Sequence, residues 1–329
     1  MNYSLLLKQV KKNKITAEQL IYLLQKDENA MNAYEDDVFA HDFLGDLHGW
    51  STKQIIHDYY HQGLVQNFGE NSVSVDELSP MITEVDLHPY EQNLFYQTIQ
   101  WPTVRLGEWA FDWGVFPAYQ LFLLGDVTVD ENQAFAEKTP LGFSRKPFLY
   151  PCLLKADSIW MSVTPFEIET MSHVIKEAFG NVLTLGCGMG YVAFMMSEKK
   201  EVKSITIVEK DQHVLSMFEQ HILPQFPHRH KINLIHQDAF DYLNKEVAST
   251  TFDMVFVDIY QTVDDGLPLY LKLKKIEARM SHTKPWFYWL EESMLALIRR
   301  QWIERRNFDL IEKGLNKEAL LNALIRQLL

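Results

Sequence analysis

The apolar positions of the chain fall into two textures. Through the first 65 residues they recur at helical spacing, as in Leu20, Ile21, Leu23 and Leu24, which predicts short helices. Thr16 with Gln19, and Ser51 with Gln54, have the spacing of a capping box, in which a hydroxyl and a side-chain amide satisfy orphan backbone groups at a helix start. Residues 66–88 carry polar and turn types and predict a loop, followed by a helix over about 90–100. Aromatic residues then crowd the stretch from Phe95 to Phe122, a density that more often supplies core area than a ligand pocket.

From about residue 150 short apolar runs alternate with helical stretches, the pattern of a parallel sheet covered by helices. The expected strands are 181–186, 204–209, 232–238, 254–259 and 286–291. Helical stretches fall at 190–198, 211–222, 239–246 and 266–280, with further helices over 292–301 and 316–329. The predicted fold class is therefore α/β, with a mainly helical domain over 1–148 ahead of a Rossmann-like, mostly parallel sheet domain over 149–329.

Composition narrows the function classes. With 329 residues, 47% hydrophobic and 23% charged, the chain can bury a sizeable core and matches two domains better than one. No run of about 18 apolar residues occurs, and the start MNYSLLLKQVKKNK lacks the apolar centre of a secretory signal, so a cytoplasmic protein without a membrane partner is expected. Cys152 and Cys187 have neither zinc-site nor redox-pair spacing, and reduced thiols follow. The net charge is −13, and the first 150 residues hold 21 acids against 10 bases, a balance that repels phosphate backbones; no nucleic-acid partner is expected.

The most informative segment is VLTLGCGMGY, residues 182–191, an apolar strand that runs into Gly186, Gly188 and Gly190 and then into a helix. Glycines there permit a tight turn and let a ligand approach the backbone. Glu209 closes the next strand, about 20 residues on, where a carboxylate can accept hydrogen bonds from both hydroxyls of a ribose. Asp238 closes the strand after that. Open α/β sheets bind ligands at the carboxyl ends of their strands, so three such ends in order reinforce one another. A dinucleotide fingerprint would place its third glycine three residues after the second, whereas Gly190 follows Gly188 by two, and Tyr191 stands at the expected position.

These motifs, LGCGMG, IVEKD, HQDAFDYL and FDMVFVDIY, resemble the class I S-adenosylmethionine-dependent methyltransferases, in particular the spermidine-synthase-like branch, over about residues 150–300. The resemblance implies S-adenosyl-L-methionine as cofactor, bound by Gly186, Cys187, Gly188, Gly190, Glu209, Lys210, Asp238, Ala239 and Asp258. It places Glu209 on the ribose, Asp238 on the adenine, and Asp258 and Tyr260 at the cofactor's reactive end. Asp258 is the base if one is needed, with Tyr260 or Gln261 orienting the acceptor. The helix start at Thr164, Pro165 and Glu167 is similar to one that borders the cofactor pocket in that family.

Departures matter as well. Thr184 stands where methyltransferases commonly have an acid, and Met189 where aminopropyltransferases carry one in the glycine loop. Gln261 and Thr262 stand where those enzymes place a catalytic aspartate followed by proline, which argues against polyamine synthesis. Asp258 with Glu291 and Glu292 could ligate Mg²⁺, and His57 with His61 at i, i+4 could hold a metal, but acids that favour a helix start and a polar helix face are the better readings, and no metal is expected. The basic run Arg299–Arg306 reads as a solvated helix. The reading is a methyltransferase acting on a small-molecule acceptor by direct displacement, with a non-catalytic nucleotide-binding scaffold and an aminopropyltransferase as alternatives. Oligomerisation is left open.

Overall fold

The computed structural model describes residues 2–25, 52–245, 252–280 and 284–328. The chain divides into two compact units: 1–87, 115–149 and 300–308 form the first, and 88–114, 150–299 and 309–329 the second. This differs from the single boundary expected at residue 148. Segment 88–114 packs with the second unit, and the end of the helix Glu291–Glu304 packs with the first.

In the first unit, the helix Tyr3–Leu24 runs straight through Thr16, so the expected cap there does not form. Gln19 has another use: buried, it donates to Asn71 O at 2.7 Å and accepts from Val73 N at 2.7 Å, pinning a turn to the helix. Ser51 lies outside the described residues, and the helix Thr52–Phe68 follows it. Residues 66–88 are more ordered than a loop. They hold the helix Val75–Leu78 and the strand Ile82–Glu84 because Val73, Leu78, Met81 and Ile82 are buried against Leu20, Leu23, Tyr60 and Leu64. Tertiary burial here overrides a polar local sequence. The strand pairs with Leu141–Phe143, which pairs in turn with Phe122–Leu123. Arg300 pairs with Glu137 at 2.7 and 3.0 Å.

The second unit is built on a five-stranded parallel sheet ordered Ile232–His236, Val202–Glu209, Gly180–Leu185, Met254–Val257 and Trp286–Tyr288. All five expected strands are present, each shorter at its carboxyl end or longer at its start by a residue or more. The central strand is buried along Val182, Leu183, Thr184 and Leu185, as both faces are covered. The expected helices also form, at Pro165–Glu177, Tyr191–Ser197, Gln212–Met217, Ala239–Lys245 and Val263–Arg279. The helix expected over 90–100 is two pieces, His88–Glu91 and Leu94–Thr98, because Asn93 caps the second by accepting from Phe95 N at 3.0 Å.

A four-stranded sheet ordered Val104–Leu106, Trp109–Phe116, Phe148–Lys155 and Ser158–Ser162 precedes the parallel sheet in sequence. Among the described residues, the helical character expected over residues 1–148 holds before about residue 80, and strands take up much of the remainder. Phe95, Trp101, Trp109, Phe111 and Phe122 are buried, so about half of the aromatic stretch does supply core. Among the described residues no helix is long and apolar enough to cross a membrane.

Candidate functional site

The carboxyl end of the parallel sheet opens into a cavity of about 410 Å³, within the size range of small-molecule sites. Its floor is the glycine loop. Gly186 has φ +101°, and a Cβ there would lie 2.0 Å from the carbonyl oxygen of Asp258, so backbone packing alone requires glycine. At Gly188 a Cβ would lie 2.4 Å from the sulfur of Met161, and at Gly190, which opens the helix Tyr191–Ser197 with φ +79°, 2.3 Å from the Phe218 ring. Gly186 and Gly188 border the cavity, whereas Cys187 and Gly190 face a smaller recess behind the loop.

Glu209 ends its strand with both oxygens engaged: Oε2 accepts from Cys187 N at 3.0 Å and Oε1 from Asp211 N at 2.8 Å. The carboxylate thus ties the glycine loop to the next turn, and each oxygen keeps a lone pair for a ligand. Burial, reinforced by the Glu209 charge, pushes the Cys187 thiol well above its ordinary range, so this sulfur stays protonated. Asp238 caps the helix Ala239–Lys245 by accepting from Phe240 N at 2.8 Å and Asp241 N at 3.2 Å. Glu209, Lys210, Asp238 and Ala239 all border the cavity, with the carbonyl of Lys210 3.0 Å from His236 Nε2. The three strand-end turns read from sequence therefore meet at one hollow.

Asp258 follows the fourth strand on the far side of the glycine loop. Among the described residues none donates a hydrogen bond to its carboxyl. Burial, with Glu167 and then Glu209 nearby, pushes its pKa up to about 7. Glu167 is buried at the start of the helix Pro165–Glu177, where it accepts from Ser162 Oγ at 2.8 Å, from Thr164 N at 3.0 Å and from Thr164 Oγ1. Burial outweighs these bonds, and its pKa is raised. The recess that Glu167 shares with Asp258 and Thr184 has no Lys, Arg or His in its wall.

Tyr260 and Gln261 also border the cavity, yet their donors point elsewhere. The Tyr260 hydroxyl donates to Trp289 O at 2.5 Å, and Gln261 Nε2 donates to Ile159 O at 3.0 Å. The Tyr260 hydroxyl and one amide hydrogen of Gln261 are thus directed into the protein in this structure.

Several wall residues carried no motif. Trp109 donates from Nε1 to Asp211 Oδ2 at 2.8 Å and meets Trp160 edge to face, with Lys155 Nζ 5.0 and 5.2 Å from the two ring centres. This trio comes from the antiparallel sheet, whose alternation gave no signal of a site. Trp289 could have been found, because it follows the fifth strand just as Glu209 and Asp238 end theirs.

The acids weighed for Mg²⁺ beside Asp258 are engaged within the chain. Glu291 takes the Tyr270 hydroxyl at 2.9 Å and Lys317 at 3.1 Å, and Glu292 takes Lys317 at 2.6 Å, while buried Lys274 lies 2.7 Å from Glu277. Among the described residues there is no group of three His, Cys, Asp or Glu able to hold a metal. Nor is the Arg299–Arg306 run simply solvated: Arg299 is buried and donates to Leu315 O at 2.8 Å.

Residues 165–273, a third of the chain, match the spermine/spermidine synthase domain family. This agrees with the spermidine-synthase-like branch indicated by the sequence motifs. Among solved structures, a protein described as an O-methyltransferase from Klebsiella pneumoniae is similar at 19% identity, covering 34% of this chain and 48% of that one, with a TM-score of 0.27. A spermidine synthase from Thermotoga maritima is similar at 12% identity, covering 46% of this chain and 55% of that one, with a TM-score of 0.31. The chain thus spans about half the length of these structures. No curated protein matches it.

Proposed function

We propose that the second unit is an S-adenosylmethionine-dependent methyltransferase acting on a small-molecule acceptor. The observation that carries this reading is the convergence of Gly186, Glu209, Asp238 and Asp258 on one cavity. S-adenosylmethionine, when bound, supplies a methyl on a cationic sulfonium, and the thioether that leaves is neutral. The protein's task is accordingly to align reactants and exclude water. The spare lone pairs of Glu209 suit two ribose hydroxyls, and Asp238, at a helix start, suits the amino edge of a purine. Gly186 and Gly188 leave the loop backbone bare for close approach.

Asp258 then serves as the proton acceptor. Its raised pKa keeps part of the population protonated at pH 7 while the site is empty; a cation brought beside it favours the carboxylate. The base is therefore charged when the electrophile is in place. This agrees with the preference for a catalytic base that titrates near the working pH.

One observation favours a second reading, aminopropyl transfer. The recess behind the glycine loop offers Glu167 and Asp258 and no base, which suits a cofactor bearing an ammonium without a carboxylate. Met189 and Gln261, where that chemistry uses acids, favour methyl transfer instead. Calorimetry decides among these. The expected result is micromolar binding of S-adenosylmethionine and of its demethylated product. Absence of binding by either at millimolar concentration removes the enzyme reading, tighter binding of the decarboxylated cofactor installs the second, and binding without turnover across an acceptor panel indicates a scaffold.

A further inference from the structure

The part of the cavity left for an acceptor has an unusual polar economy. On the proposed reading, which this inference deepens, the adenosyl group lies along Asp238, Glu209 and the glycine loop. What remains is the end formed after the strands Met254–Val257 and Trp286–Tyr288. Its walls are Phe166, Tyr260, Trp289, Ile159 and Leu269. Tyr260 and Trp289 stack with ring centres 6.2 Å apart and planes 19° apart, and Phe166 meets Trp289 edge-on at 6.0 Å.

The polar groups there are turned inward. Tyr260 donates to Trp289 O, the Trp289 indole donates to Thr170 Oγ1 at 3.0 Å, Gln261 Nε2 donates to Ile159 O, and the Thr262 hydroxyl donates to Asp265 Oδ1 at 2.6 Å. Ser162 and Thr164 are taken up by Glu167. Among the carboxyls there, Asp258 is the exception, with no hydrogen bond from any described residue, and the exposed Gln261 keeps its Oε1 open.

We propose that the acceptor is a flat aromatic hydroxyl compound, its ring held against Trp289 and Phe166 and its single hydroxyl directed at Asp258. An aromatic ring recovers burial and offset or edge-on ring contacts from these walls. One hydroxyl matches the one unengaged carboxyl, whereas an acceptor with several polar groups leaves most of them buried against rings and unpaired. A diamine would bury its distal ammonium at this end without a carboxylate, a cost that ring–cation attraction offsets only in part.

The step balances as a displacement. The acceptor's O–H bond breaks and its proton passes to Asp258. The oxygen forms a bond to the sulfonium methyl, and the C–S pair returns to sulfur as a neutral thioether.

The test uses the full chain saturated with the demethylated cofactor, titrated calorimetrically with 2-naphthol, catechol and putrescine. The phenols are expected to bind at sub-millimolar concentration and putrescine not at all. With S-adenosylmethionine, the product is the aryl methyl ether. Trp289→Ala should weaken phenol binding at least tenfold while cofactor affinity moves less than twofold; Phe166→Leu gives a milder loss if the first variant does not fold. Normal cofactor binding with putrescine bound in preference to phenols, or phenol binding indifferent to both substitutions, overturns the proposal. Failure to bind the cofactor overturns instead the reading on which it rests.

Discussion

The two ends of the cavity use their polar groups in opposite ways. At the glycine-loop end, Glu209 and Asp238 engage backbone N–H groups yet keep lone pairs facing the hollow, and the chain is shaved to glycine where a Cβ would collide. At the Trp289 end nearly every donor is spent inside the protein, and the walls are rings and aliphatic side chains. On the proposed reading, the first end holds a polar ligand of fixed form, and the second selects by shape and leaves one carboxyl, Asp258, to take the acceptor's proton. Fixed recognition on one side and apolar selection on the other is how one fold serves many acceptors.

The sharpest way to break this contrast is at its floor. Gly186→Ala sets a Cβ against the Asp258 carbonyl at a backbone angle side chains rarely adopt, and should cost more than about 3 kcal/mol in urea unfolding. Gly69→Ala is the control: φ is +58°, but nothing lies within 4 Å of the new Cβ, and a loss of about 1 kcal/mol is expected. Equal losses would mean that the loop is not held by close packing. Next in size, Glu209→Gln keeps an acceptor for Cys187 N but loses the charge, and should weaken S-adenosylmethionine binding by 10- to 100-fold, about 1.4 to 2.7 kcal/mol. Asp238→Asn, acting at a partly exposed edge, should cost less than tenfold in the same calorimetric experiment.

Asp258 sharpens the contrast through pH. Its folded pKa of about 7 stands above the ordinary value of 3.8 because of burial, Glu167 and Glu209. Below about pH 4 it is protonated folded or unfolded and contributes no difference. From pH 4 to 7 the unfolded chain ionises first, so stability falls as pH rises, and above pH 7 the full cost remains. Asp258→Asn should therefore raise stability by up to about 4 kcal/mol at pH 8 and change it little at pH 4, as read from urea midpoints. It should also abolish turnover and the proton release that accompanies S-adenosylmethionine binding at pH 7, visible as a buffer-dependent heat. A variant no more stable at pH 8 than at pH 4 would show that Asp258 is not buried as described.

Legibility in the sequence follows the same division. The glycine-loop end could be read because it needs particular residues at particular strand ends: Gly186 by steric exclusion, Glu209 and Asp238 by position. The parallel sheet was readable for a related reason, since strands buried on both faces are continuous apolar runs. What escaped depends on contacts between distant segments. Trp109, Lys155 and Trp160 reach the cavity from an antiparallel sheet whose strands carry no motif. The ordered stretch around Leu78 and Ile82 forms because the helices Tyr3–Leu24 and Thr52–Phe68 give it something to pack on. Glu167 was legible as a helix cap, but its closeness to Asp258 depends on how the turn after Ser162 meets the fourth strand.

Tyr260 offers the finest test. Position alone places its hydroxyl near the reacting atoms, yet the structure gives that hydroxyl to Trp289 O at 2.5 Å. Tyr260→Phe keeps the ring and the stack while leaving a buried carbonyl short of a partner. The expected result is a stability loss of about 1 kcal/mol, seen as a lower Tm, because the removed bond is a neutral one. If the hydroxyl instead reaches the acceptor, kcat/KM falls at least tenfold with KM rising in step, as uniform binding is lost. That outcome would mean the Trp289 end keeps a donor in reserve, and the division between its two ends would have to be redrawn.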